Sequence, residues 1–303
     1  MVRYREGTAA DSRLAYDLFI PTIDDLATRT GGNANSTSDA TPSRAWDRRR
    51  PLFEHLATTH DRWWFAEDEA TGEAIGYARS ILRDGVRELT EFFVLPAAQG
   101  QGVGRGLLER AFPADGARHR AIVATIDPRA IMRYLQTGLD GRVPMAYVEA
   151  APRPIHLDTD LVRRRMDPDA PPLDAIAAID RVVVGFRRDV DHAWLASDRP
   201  GWLYERDGAI VAYAYHALEP SWGGPLAALD AADLPVLLAD AETHAAETEQ
   251  PTVAFDLAMT ARTAFDYLLP RGFRVDPFVM LFFTDGPTDG LDRYVLTSPP
   301  FFA

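Results

Sequence analysis

The chain of 303 residues contains no cysteine and no lysine. Without cysteine there is no disulfide framework, no thiolate metal site and no Cys-linked acyl intermediate. Without lysine the Gly-x-x-x-x-Gly-Lys-Ser/Thr phosphate loop cannot be written, which removes nucleotide hydrolysis of that kind. No apolar run is long enough to span a bilayer and no signal pattern opens the chain, so a cytoplasmic protein without a membrane partner is expected. There is no Gly-x-Ser-x-Gly elbow, and the seven histidines are scattered without a His-Glu-x-x-His, so no metal is expected. The 32 basic side chains, all arginine, stand against 45 acidic ones, for a net charge of −13. That balance argues against nucleic acid as a partner and favours cationic substrates such as amines. The plainer reading is base composition for the arginines and solubility for the acids.

What is present centres on Gln99-Gly100-Gln101-Gly102-Val103-Gly104. Leu89 to Val94 before it reads as a strand, and Arg105-Gly106-Leu107-Leu108 after it as a helix start. Glycines without a Cβ let successive N–H groups converge on one phosphate, and the helix dipole adds to the attraction. A phosphate or pyrophosphate ligand is therefore expected. The dinucleotide fingerprint Gly-x-Gly-x-x-Gly fails, because its third place falls on Arg105 or Leu107.

The pattern Gln/Arg-x-x-Gly-x-Gly/Ala after a strand ending in Val-x-Pro resembles the coenzyme A pyrophosphate loop of the GNAT superfamily of acyl-CoA-dependent N-acyltransferases. Gln99, Gly102 and Gly104 occupy its defining positions. Downstream, Asp127-Pro128-Arg129-Ala130 through Tyr134 to Gly138-Leu139 is similar to the second GNAT signature, Asn-x-x-Ala-x-x-Leu-Tyr-x-x-x-Gly-Phe. Ala130, Tyr134 and Gly138 are in register, while Asp127, Arg133 and Leu139 depart from Asn, Leu and Phe.

The resemblance implies an α/β fold of two tandem GNAT-like domains, each a mostly antiparallel sheet flanked by helices. It implies acetyl-CoA as cosubstrate, without a metal, and a small-molecule or peptide amine as acceptor. Cofactor contacts are expected from Phe93, Val94, Gln99, Gly100, Gln101, Gly102, Val103, Gly104, Arg105, Gly106, Asp127 and Ala130. Acyl transfer to an amine needs a base, an oxyanion donor and an acid for the leaving thiolate. Glu91, on a strand where GNAT enzymes often place a carboxylate, is the candidate base, with Glu88 or water as alternatives. Backbone N–H groups near Phe93 and Val94 are the candidate oxyanion donors, and Tyr134 the acid. Glu91 and Tyr134 also have plain structural readings, as an exposed strand residue and as a helix tyrosine packed at the domain core. A catalytically silent acyl-CoA-binding protein and a transferase of larger acyl or aminoacyl groups remain alternatives.

Length suggests two domains. A catalytic domain is expected over 1–155, a linker over 156–172 and a degenerate copy over 173–303. In the first, Arg3 to Glu6 reads as a strand, Thr8 to Phe19 and Arg44 to Thr59 as helices, and Thr28 to Ser43 as a loop. Asp24-Asp25 sit on the expected acceptor side. Trp63-Trp64 lie in a hairpin, one ring facing the core and the other solvent or an acceptor pocket. In the second, the stretch Leu226 to Leu234 has no glycine and carries the aspartates Asp230 and Asp233, which would repel pyrophosphate. Leu173 to Ala196 is helical in pattern there.

Overall fold

A computed structural model describes residues 1–30, 42–219, 223–277 and 279–297. The chain forms two compact units, one of residues 1–122 and 126–139, the other of 123–125 and 140–303. The expected loop over Thr28 to Ser43 lies mostly outside the described residues. No helix among the described residues is long and apolar enough to cross a membrane.

In the first unit the order is β1 (Val2–Glu6), α1 (Ser12–Thr30), α2 (Pro42–Thr59), β2 (Arg62–Asp68), β3 (Ala74–Arg83), β4 (Val86–Val94), α3 (Val103–Ala111), β5 (His119–Thr125) and α4 (Pro128–Gln136). Strands β1 to β4 pair antiparallel in sequence order, with Arg3 opposite Glu67, Phe65 opposite Tyr77 and Tyr77 opposite Phe93. A two-residue turn joins β3 to β4 because Asp84 and Gly85 both take positive φ, 43° and 81°, the geometry whose twist matches the flanking strands.

Two irregularities shape β4. Arg79 pairs with Glu91 and Ser80 with Leu89, so Thr90 is an extra residue that bends the strand. On its other side β4 pairs parallel with β5 only from Val86↔His119 to Glu88↔Ala121. Beyond Glu88 the two strands part, while β4 runs on to Val94.

Alternation along the strands divides the unit into two faces. Trp63, Phe65, Tyr77 and Phe93 meet Phe19 of α1 and Phe53 of α2, an aromatic layer with Phe19 and Phe93 rings 5.1 Å apart. Of these rings, Phe53, Phe65 and Tyr77 are fully buried, and burying such a ring contributes about 1.5–3 kcal/mol. The opposite face receives α3, where Ser80 Oγ donates to the Ala111 carbonyl at 2.6 Å. Helix α1 is longer than its sequence suggests and passes through Pro21. The residue before a proline disfavours helix, but Leu26 and Ala27 beyond it are buried, so packing overrides the local signal.

The second unit contains β6 (Asp140–Ala150), β7 (Val162–Arg165), α5 (Leu173–Val183), α6 (Asp189–Asp198), β8 (Gly201–Arg206), β9 (Ala209–Tyr215), β10 (Leu226–Ala228), α7 (Leu234–Glu247), β11 (Val253–Ala258), α8 (Arg262–Leu268), β12 (Arg274–Val275), β13 (Met280–Thr284) and β14 (Tyr294–Val295). Its strands run in the order β13-β6-β11-β14-β10-β9-β8-β7, all antiparallel, with β12 also on β6. Ala212 and Ala214 of β9 face a core built on Leu234, Leu237 and Leu238 of α7. Tyr213 and Tyr215, one residue out of phase, face α5 and α6 instead. There Asp180 accepts from Arg188 at 2.9 and 3.0 Å and from the Tyr213 phenol at 2.6 Å, and its Oδ2 lies 2.8 Å from His192 Nε2.

Three differences from the sequence reading stand out. Strand β6 belongs to the second unit, between β11 and β13, although it falls inside the span 1–155. Arg163 to Arg165, expected within a linker, lie in β7 and pair with β8. The stretch 173–196 is two helices, broken where Gly185 adopts φ 90°, a conformation costly for any residue with a Cβ.

Candidate functional site

The end of β4, the glycine turn and the start of α3 form one continuous feature. After Val94, Pro96–Ala98 makes a single 3-10 turn, and the Gln99 side-chain amide donates to the Val94 carbonyl at 2.9 Å. Gln99 therefore pins the turn to its strand. Gly100 and Gly102 take φ 79° and 86°, and no atom lies within 4 Å of where a Cβ would stand on either. Gly102 is the N-cap of α3, and no side chain caps the helix. The first-turn N–H groups, beginning at Val103, thus open the helix towards the glycine turn with the positive end of its dipole behind them.

The other two glycines answer to packing. A Cβ on Gly104 would stand 2.9 Å from Cζ of Phe92. One on Gly106 would collide with the Tyr4 phenol, whose hydroxyl donates to the Val103 carbonyl at 3.3 Å. Small residues at these places let α3 lie close against the sheet. Gln101 donates to the Ala97 carbonyl at 3.0 Å, and Arg105 is exposed beside Glu109.

Helix α4 brings the second motif to the same strand. Asp127 is its N-cap, accepting from the Arg129 N–H at 2.9 Å and meeting Arg29 of α1 at 2.9 Å. Burial raises the Asp127 pKa, but those partners outweigh it and hold the carboxyl below its usual range. Asp127 thus supplies what an Asn would supply as a cap, and adds a charge. Ala130 is half-buried on the same helix. Tyr134 is buried, with its ring 6.0 Å from Phe92. Burial, and secondarily Asp127, push its phenol well above the ordinary tyrosine range, so it stays protonated.

The carboxylates are arranged differently. Glu91 has no exposed side-chain surface; it is ion-paired with Arg79 and accepts from the Tyr77 phenol at 2.8 Å. Arg79 in turn lies 4.5 Å over the Trp63 ring. Glu91 therefore stands on the α1/α2 side of the sheet, whereas Phe92 and Tyr134 are on the other. Glu88 is buried at the last paired position before β4 and β5 separate. Sequence reasoning missed Tyr77 and Arg79 as partners of Glu91. Their alternation on β3 was visible, but the extra residue at Thr90 that sets the register was not. Of Asp24-Asp25, Asp25 pairs with Arg29 on α1.

In the second unit the corresponding helix start is closed. Asp230 accepts from the Ala232 N–H at 2.9 Å, and Asp233 holds Arg206 at 2.8 Å. Near the place of Tyr134, Tyr267 donates to Glu242 at 2.9 Å.

Residues 59–138 match the family model described as the acetyltransferase (GNAT) domain. The chain carries a GNAT domain. Among solved structures, a proposed acetyltransferase of Pyrococcus horikoshii superposes with a TM-score of 0.68 at 14% identity, over 97% of this chain and 92% of that one. A GCN5-related N-acetyltransferase of Sphaerobacter thermophilus gives 0.60 at 15%, over 96% and 98%. A tandem GNAT protein from the clavulanic acid biosynthesis pathway gives 0.57 at 12%, over 95% and 100%. At these identities the likeness is one of fold, and the fold is GNAT-like with a mostly antiparallel sheet flanked by helices. No curated sequence matches the chain.

Proposed function

We propose that the chain is an acyl-CoA-dependent N-acyltransferase whose first unit takes the donor, with acetyl-CoA as cosubstrate and a primary amine of a small molecule or peptide as acceptor. One observation carries this reading: an uncapped helix start behind two left-handed glycines, at the end of a strand that has parted from its parallel neighbour. The first-turn N–H groups from Val103 suit a pyrophosphate, and the open space over Gly100 and Gly102 leaves room for one. The edge of β4 at Phe93 and Val94, past the last parallel pair, suits the pantetheine arm and the thioester carbonyl.

Coenzyme A supplies a thiol leaving group of moderate basicity. The phenol of Tyr134 keeps its proton at neutral pH and is the group to deliver it to the departing sulfur. An attacking ammonium must lose a proton first. Glu91 is poorly suited to take it, because Arg79 and Tyr77 occupy its oxygens, so the base is Glu88 or solvent. The nitrogen then attacks the carbonyl, the C–S bond breaks, and no covalent enzyme intermediate is needed.

That closed carboxylate also favours a second reading, an acyl-CoA-binding protein without turnover. Thiol release from acetyl-CoA in the presence of an amine panel separates the two. Release with any amine supports transfer, whereas tight coenzyme A binding without release supports the silent protein.

A further inference from the structure

In the second unit the segment 151–161 leaves β6 and crosses α7 before entering β7. It is tied down twice. The Arg153 N–H donates to Glu242 Oε1 at 3.1 Å, and Thr243 Oγ1 accepts from the Ile155 N–H at 3.0 Å and donates to the Ile155 carbonyl at 2.8 Å. Between this strap, α7 and β8 lies a cavity of about 560 Å³, within the range of small-molecule sites.

Its lining is sorted by depth. Leu157, Leu161 and Val236 give it apolar walls, and the exposed His156 and Arg163 stand at the rim. Tyr204 and Asp240 are deeper. Tyr204 is 1% exposed, and its hydroxyl lies beside the Asp240 carboxylate without reaching ordinary hydrogen-bond geometry. Burial, then the nearby Asp240 carboxylate, raise its pKa well above the usual value, so it remains a phenol.

Asp240 meets Arg163 at 3.4 Å, longer than a good charge-assisted hydrogen bond. The Arg163 side chain is 41% exposed, and its guanidinium already lies 4.2 Å over the Trp202 ring. It has a second seat and can release the carboxylate at small cost. A head group that reaches the floor meets an acid and a phenol, while the basic groups stay at the solvated rim. That order favours a cation.

We propose that this cavity is a second small-molecule site, taking a primary ammonium compound with an apolar body: the ammonium on Asp240 and Tyr204, the body along Leu157, Leu161 and Val236. The proposal does not depend on acyl transfer in the first unit.

The test is calorimetric titration of the full chain with phenethylammonium chloride, alongside phenylacetate and 2-phenylethanol as matched anionic and neutral probes. The ammonium should bind saturably, with the alcohol and the carboxylate at least tenfold weaker. Asp240→Asn should remove one ammonium site per chain, and Val236→Trp, which fills the cavity from the helix surface, should do the same. Arg163→Gln should tighten binding severalfold by removing the competitor for Asp240. Near-ultraviolet circular dichroism and urea midpoints close to the parent's in all three variants should show that they are folded. Absence of saturable ammonium binding, indifference to Asp240→Asn and Val236→Trp, or a preference for phenylacetate that is lost in Arg163→Gln would each overturn the proposal.

Discussion

Arg79 and Glu91 are cross-strand partners on β3 and β4, and neither side chain has any exposed surface. Removing two charges from water costs several kcal/mol each, recovered only when the geometry is good and the remaining lone pairs are filled. The Tyr77 phenol fills one of them. The pair holds β4 at the bend made by Thr90, just before the segment that leads to Val94 and the glycine turn. It serves the site by placing the strand.

Replacement of Glu91 by Ala should leave Arg79 as an uncompensated buried charge and lower stability by about 3–5 kcal/mol. Urea unfolding of both proteins measures this. Glu91→Gln, where it remains folded, should keep the acidic limb of the kcat/KM pH profile. A shifted limb with unchanged stability would restore Glu91 as the base.

Tyr134→Phe should keep the packing against Phe92 and the affinity for acetyl-CoA while lowering turnover by roughly 10²-fold, the scale of a lost general acid. Steady-state rates and a coenzyme A titration on the same preparation check both halves. Turnover within twofold of the parent would remove the phenol from the mechanism.

Coenzyme A should bind once per chain, at the first unit. Gly102→Glu should weaken it more than tenfold, since the new side chain adds strain at φ 86° and a negative charge at the helix start. Gly104→Ala is expected to act differently, by pressing on Phe92 and lowering thermal stability. Two sites per chain by calorimetry would mean that the second unit binds the nucleotide despite Asp230 and Asp233.

His216 in the second unit is buried, and neither ring nitrogen has a hydrogen-bond partner among the described residues. Its ring lies 5.1 Å from His244 and 5.9 Å from Trp202. Burial, then His244, Arg163 and Arg165, hold its pKa well below the usual histidine value. The unfolded chain therefore takes up a proton near pH 6.5 that the folded chain refuses, and stability falls as pH drops below that point. His216→Phe should reduce this loss between pH 7 and 5, by up to about 1.4 kcal/mol per pH unit below the unfolded pKa. Urea midpoints at several pH values give the comparison, and an identical slope would exclude His216 as the cause.

Much of the frame could be read from local patterns. The hairpin at Trp63 and the turn at Gln99 to Gly104 are each set by residues a few places apart. What could not be read depends on distant partners. Helix α1 continues past Pro21 because Leu26 and Ala27 find a core. Strand β6 carries Pro144 in its middle and reads poorly as a strand, yet Val143, Met145 and Val148 are buried between β11, β12 and β13. Glu91 looked like a free carboxylate because its partner is fixed by a one-residue bulge, which alternation alone does not reveal. The cavity beneath 151–161 had no signature, since a strap is defined by the helix it crosses.

The ownership of β6 also sets a timetable for synthesis. The ribosome delivers this strand directly after α4, but its partners begin only at Val253. At roughly 5–20 residues per second, that leaves an apolar strand waiting on the order of 5–20 s for a neighbour. During that interval both of its hydrogen-bonding edges are open to other nascent chains. Yield from rapid overexpression should therefore improve with slower translation or lower temperature. A fragment ending near residue 155 would never leave that vulnerable state.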